Sequence, residues 1–403
     1  MGEASEQAAR ARRLLLGALT APGELPGLPL ADWDLLLRVA RRTRLLGRIE
    51  ADLAAAGLLG AVPERAGHHL RAARNVVAHR HTLTTWEIDR ILWGLEGVDV
   101  RPILLKGIAY AMAGLPPARG RLFADVDLMV PEARIEEVEK TLLGRGWFRK
   151  ALDPYDERYY RVWSHEIPPL RHRERETEID IHHTILPRTS RLKPDPALLF
   201  AAARPLAALA APSGAGPAQP QGAEPRTLSA DPRLQVLAPA DMVLHSLVHL
   251  FLEGDPQDGL RLRDLVDAHD LLRHFGAEPE FWGSLVPRAR ELGLTRPLYY
   301  GLRYARRILG TEVPHAVRAA AKKAAPPPPV RALMDRLVPL ALFPEHPDFP
   351  RRRAARARLL VYVRSHWLRM PPLLLARHLG YKAWLRVRRV PRKTELTRLE
   401  LKQ

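Results

Sequence analysis

"ILLKGIAYAMAGLPPARGRLFADVDLMVP", residues 103–131, holds a glycine directly after an apolar run and then two aspartates one residue apart inside a second apolar run. In an extended strand, side chains two residues apart point to the same side. Asp125 and Asp127 therefore share one face, while Val126 and Leu128 pack on the other. Two carboxylates side by side repel unless positive charge sits between them. A face that keeps both is a face built to hold cations.

The same alternation returns downstream in "TEIDIHHTIL", where Glu178, Asp180 and His182 fall on one face and Ile179 and Ile181 on the other. Laid beside the first strand, it brings at least three carboxylates together. Mg²⁺, or Mn²⁺ in its place, takes hard oxygen ligands and relieves that repulsion. Two such ions clamp the attacking and leaving oxygens of a phosphoryl displacement. Gly107 lets the backbone approach a phosphate, and the start of the helix expected there favours an anion. Lys106 and Arg121 supply the positive charge a triphosphate needs.

Around this core the pattern is helical. "LADWDLLLRVARRTRLLGRIEADLAAAGLLG" and "VPERAGHHLRAARNVVAHRHTLTTWEIDRILWGLEG" repeat apolar residues every three or four positions and end in glycine. "RPILLK", "FADVDLMV" and "TEIDIHHTIL" read as strands, with "ERYYRVW" and "HEIPPLR" as further strands before the third. "GIAYAMAGL" and "PEARIEEVEKTLLGRGW" read as helices between them. "APSGAGPAQPQGAEPRT" reads as a linker, "AAPPPPV" as a second break, and the rest as helices. The expected division is a helical region over 1–97, an α/β core over 98–200, a linker over 201–230, a helical domain over 231–325 and a basic helical segment over 326–403. The fold class is α+β: a small mixed sheet between helical regions.

The 403 residues carry a net charge of +18, but residues 351–403 hold 16 Lys and Arg against Glu395 and Glu400. Most of the excess therefore belongs to the C-terminal segment. It suits an acidic or nucleic-acid partner, or a solvated face; the preference for Arg over Lys beside abundant Ala and Pro matches GC-rich coding and favours the solvated face. The absence of cysteine excludes disulfides, thiolate metal sites and a cysteine nucleophile. No apolar run reaches the length of a membrane span, and a cytoplasmic location is the default expectation.

The order of strand, glycine at a helix start, Asp-x-Asp and a later strand carboxylate resembles the polymerase-beta-like nucleotidyltransferase superfamily. More narrowly, the chain looks like an uncharacterised bacterial nucleotidyltransferase-like family with the pattern LLKG-x-A, then R-x-x-x-D-x-D-L-L-V, then E-x-H. Leu104, Leu105, Lys106, Gly107 and Ala109 match first; Arg121, Asp125, Asp127, Leu128 and Val130 come next. Asp180 and His182 complete the pattern, with Asp for Glu. The likeness runs over roughly residues 30–275, through "LAPADMVLHSLVHL" and "LRLRDLVDAHDLL". It implies transfer of an NMP group from an NTP, ATP among the candidates, to a hydroxyl on a small molecule, a peptide or protein, or an RNA. Asp125, Asp127 and Asp180 become the catalytic metal ligands, and Lys106, Gly107 and Arg121 the nucleotide contacts. Ile108 stands where the superfamily usually has Ser. That departure keeps open a catalytically inactive binding or scaffold protein, and the basic segment keeps open an RNA-directed enzyme.

Other residues receive quieter readings. His165 and His182 are candidate substrate contacts. His245 and His249, four apart on an apolar helix, read as buried hydrogen-bonded histidines; Arg263, Asp264 and Asp267 read as a helix-packing ion pair. Trp33, Trp86, Trp93, Trp282, Trp367 and Trp384 read mostly as core.

Overall fold

The computed structural model describes residues 3–123, 125–175, 177–209, 231–253, 260–344, 346–348 and 352–387. Its centre is a seven-stranded mixed sheet of β1 (Ile103–Leu104), β2 (Asp125–Met129), β3 (Trp147–Arg149), β4 (Leu170–His172), β5 (Glu178–His182), β6 (Arg204–Pro205) and β7 (Gln235–Val236). They lie in the order β3-β4-β5-β2-β1-β7-β6. β2 and β5 run parallel with Asp125 opposite Glu178, Asp127 opposite Asp180 and Met129 opposite His182. Val126, Leu128, Ile179 and Ile181 are fully buried on the reverse face, as the period-two pattern requires.

β6 and β7 extend the sheet beyond residue 200, the expected end of the core. Most of the expected linker, residues 210–230, lies outside the described residues. "ERYYRVW" is a correction: it belongs to the helix Pro154–Val162. Asp153 accepts hydrogen bonds from the backbone N–H groups of Tyr155 and Asp156, and Pro154 occupies the first turn. That N-terminal chemistry outweighs the strand preference of the tyrosines. "HEIPPLR" does run beside β5, as one strand broken at its prolines. Glu166 bridges His182, and Leu170 and Arg171 pair further along.

Helices enclose the sheet. Helix Pro239–Leu252 is apolar nearly all round and buried on every side, the signature of a central helix. It packs on helices Leu262–Phe275, Pro279–Glu291, Thr295–Leu309 and Arg352–Arg369. The prolines of "AAPPPPV" do not detach the C-terminal segment: Pro327 caps helix Pro328–Leu342 and Pro328 and Pro329 lie in its first turn, and Arg352–Arg369 packs closely against that helix. Ala354, Ala357, Val361, Met370 and Leu375 are buried there, so part of the basic segment is integral to the fold. Of the six tryptophans named above, among eight in the chain, Trp33 is core, but Trp86, Trp93, Trp367 and Trp384 are exposed. Arg175, Arg145 and Arg191 lie over Trp86, Trp93 and Trp367, so cation–π contact rather than burial accounts for those three. No helix among the described residues is long and apolar enough to cross a membrane.

Candidate active site

The register of β2 and β5 sets Asp127 directly beside Asp180, with Asp125 at the outer end of the same face. Asp125 is exposed, Asp180 half-buried and Asp127 buried, so the three form a ramp from solvent into the protein. Lys106 Nζ donates to Asp127 Oδ1 at 2.7 Å, and His182 Nε2 donates to the same oxygen at 3.1 Å. Burial alone would raise the Asp127 carboxyl, but Lys106 and His182 hold it well below the usual range. Asp180 has no such donors. Burial, with the charges of Asp127 and Asp125 beside it, pushes its carboxyl up to about 8. One strand pair thus carries a firmly ionised carboxylate next to one able to hold a proton near neutrality.

Lys106 opens the helix Lys106–Met112 with φ of +50°, a left-handed conformation uncommon outside glycine. Such strain persists where surrounding structure over-determines it, here by the buried pair with Asp127. Gly107 is buried, and a β-carbon there would meet Arg121 Nε at 2.5 Å and the Phe123 ring at 3.0 Å. The glycine thus admits Arg121 and Phe123 to the helix. Gly120, at φ +63°, sits against the backbone of Gly47 and Arg48, which pins the loop before Arg121. Arg121 itself forms a buried ion pair with Asp267 and lies over Tyr110. Lys106 and Arg121 therefore both stand at the site, each already paired within the protein.

Behind Asp127 a polar network continues. His182 Nε2 is 3.4 Å from Glu166 Oε2, and His165 Nε2 is 3.5 Å from Glu253 Oε1. His249 bridges Glu253, at 3.3 Å, and Asp264, at 3.0 Å. His249 is the partnered histidine that its helical position implied, and "RDLVD" supplies ion pairs through Asp264 and Asp267. His245 is buried, and burial lowers it to about 3. Glu166 and Glu253 were not singled out from the sequence. For Glu253 a signal existed: it continues the four-residue spacing of His245 and His249.

The profile of a family described as "Uncharacterised nucleotidyltransferase" matches residues 29–310. A 73-residue stretch is 30% identical to each of two proteins named "UPF0251 protein" from Vibrio vulnificus, strains CMCP6 and YJ016, covering 18% of this chain and 73% of each relative. No solved structure matches the chain.

Proposed function

The chain belongs to the uncharacterised nucleotidyltransferase family, and from that premise we propose that it transfers an NMP group from an NTP to an acceptor hydroxyl through a polymerase-beta-like core. The observation that carries this is the in-register pairing of β2 with β5, which sets Asp125, Asp127 and Asp180 on one face. In the reaction the acceptor oxygen bonds to the α-phosphorus, the bond from that phosphorus to the bridging oxygen breaks, and pyrophosphate departs. The hydroxyl proton must go to a base. Asp180, raised to about 8, is matched to receive it near neutral pH.

The donor set suits a hard dication: among the described residues neither the Asp125 nor the Asp180 carboxylate takes a hydrogen bond or ion pair. Mg²⁺ bound there would offset the negative charge of triphosphate and carboxylates and polarise the reacting phosphoryl group. The three carboxylates are more widely spread than 4.8 Å, so holding an ion requires side-chain rotation of the two unbonded aspartates. Lys106 fixes the orientation of Asp127. Arg121, locked to Asp267, orders the loop that precedes β2.

One observation favours a second reading, a non-catalytic nucleotidyltransferase fold that binds or scaffolds. The space over Gly107 is filled by Arg121 and Phe123, and Ile108 is buried, so neither offers a phosphate an open cradle. Incubation with labelled NTPs, Mg²⁺ and candidate acceptors, followed by mass analysis for an added NMP, separates the two. Transfer that disappears in Asp127→Asn supports the enzyme. Absence of both transfer and calorimetric NTP binding supports the scaffold.

A further inference from the structure

The segment His165–Ile167 is clamped along β5. The Ile167 N–H donates to Ile181 O at 3.0 Å, the His183 N–H donates to His165 O at 2.9 Å, and Glu166 bridges His182 between them. Backbone pairing therefore fixes three side chains, His165, Glu166 and His182, around one buried point. One ligating atom from each lies within 4.8 Å of the others; among the described residues no other trio of His, Asp or Glu meets that limit. His182 is fully buried and His165 nearly so. Glu253, from the end of the central helix, stands on a fourth side, 3.5 Å from His165 Nε2 but outside the limit that the other three share.

The separations are informative. Glu166 Oε2 is 3.4 Å from His182 Nε2 and 4.0 Å from His165 Nε2, longer than N–H···O hydrogen bonds, which cluster near 2.9 Å. Around a tetrahedral ion with bonds of about 2.0–2.1 Å, neighbouring ligand atoms stand roughly 3.4 Å apart. His165 makes no short hydrogen bond through Nε2, and its Nδ1 is buried without a partner.

We propose that His165, Glu166 and His182, joined by Glu253 after a side-chain rotation, bind a first-row transition-metal dication, such as Zn²⁺, at a site that lies behind the Asp125–Asp127–Asp180 face and adjoins it where His182 meets Asp127. Two imidazoles with two carboxylates select such an ion over Mg²⁺, which prefers all-oxygen surroundings. On binding, the neutral His182 ring offers Nε2 to the ion and carries its single proton on Nδ1 instead, so no proton leaves the ring. Asp127 keeps Lys106 as its donor. The site becomes a rigid backing for the carboxylate face, and its existence does not depend on nucleotidyl transfer.

The test uses the untagged full chain, stripped with a chelator, then dialysed against Zn²⁺ or Co²⁺ in millimolar Mg²⁺. Elemental analysis should find one equivalent retained per chain, and the Co²⁺ form should show visible d–d absorption. Glu166→Gln and His165→Ala should each weaken retention at least tenfold, while Asp125→Asn retains the full equivalent. Circular dichroism checks that each variant is folded. If a variant fails to fold, the wild-type stoichiometry and Co²⁺ spectrum decide alone. A wild-type chain that retains no metal, or loses it to Mg²⁺, overturns the proposal. So does full retention in folded Glu166→Gln, or loss in Asp125→Asn, which would place the ion on the carboxylate face.

Discussion

Lys106 Nζ lies 2.7 Å from Asp127 Oδ1, and both side chains are largely shielded from water. An ion pair in that position is costly to break from one side, because the remaining charge is stranded. Lys106→Met should therefore destabilise the fold by about 3–5 kcal/mol, read from denaturant unfolding. Methionine keeps the side-chain length and the same left-handed backbone demand, so the change isolates the charge. In the Lys106→Met, Asp127→Asn double variant no charge is stranded, and the summed single losses should exceed the double by about 1–3 kcal/mol. Additive losses would show that the pair is not coupled.

Activity should depend on the carboxylates in a graded way. Asp127→Asn removes the most buried and most firmly ionised of the three. By the proposed mechanism it should lower transfer at least about 1000-fold, roughly 4 kcal/mol of barrier. Asp180→Asn removes the base and should cost about 100- to 10,000-fold, the usual range for general base catalysis. Single-turnover rates of NMP incorporation measure both. An Asp180→Asn variant with wild-type rates would remove that residue from the mechanism.

Gly107→Ala tests what the glycine is for. Its new methyl meets Arg121 Nε and the Phe123 ring, and overpacking of this kind costs about 1–3 kcal/mol. Gly17, in helix Glu3–Thr20, has nothing within 4 Å of its added carbon. Gly17→Ala should instead stabilise by about 0.5–1 kcal/mol. If both substitutions stabilise, the packing of Arg121 over Gly107 is not as described.

The sheet that carries the site was legible because period-two patterning states which residues are inside. Val126, Leu128, Ile179 and Ile181 announced β2 and β5, and the Asp-x-Asp face came with them. "ERYYRVW" misled because a helix start, Asp153 followed by Pro154, governs that stretch more strongly than tyrosine content. Partners were the least visible feature. Arg121 meets Asp267 across 146 residues of chain, and His165 meets Glu253 across the four strands β4 to β7 and the helices Pro196–Ala202 and Pro239–Leu252. A local pattern shows which face a side chain occupies, and only the tertiary fold shows what occupies the facing position. The two-residue strands β6 and β7 are likewise too short to alternate recognisably.

The packing of the C-terminal helices should weaken as pH falls, and His366 is the reason. It is buried; its Nδ1 donates to Tyr362 O at 3.0 Å, and its Nε2 accepts from Arg369 Nη2 at 3.0 Å. That arrangement suits only the neutral ring. Burial, with the Arg369 charge second, lowers it from 6.5 to about 3. Between those values the unfolded chain binds a proton that the folded chain refuses. The contribution to stability is therefore full above pH 6.5, falls as pH drops below it, and levels off near pH 3. The slope within that window is about 1.4 kcal/mol per pH unit. His366→Gln should lose this proton's share, so unfolding free energies from pH 7 to pH 4 should decline less steeply than in the wild type. Histidines elsewhere, such as His183, lowered to about 4 by burial, act in the same direction and remain in both proteins, so the difference between the two slopes reports His366 alone. Equal slopes would show that the ring is already free to protonate in the folded chain, and that the contact between helices Arg352–Arg369 and Pro372–Val387 does not exclude it from water.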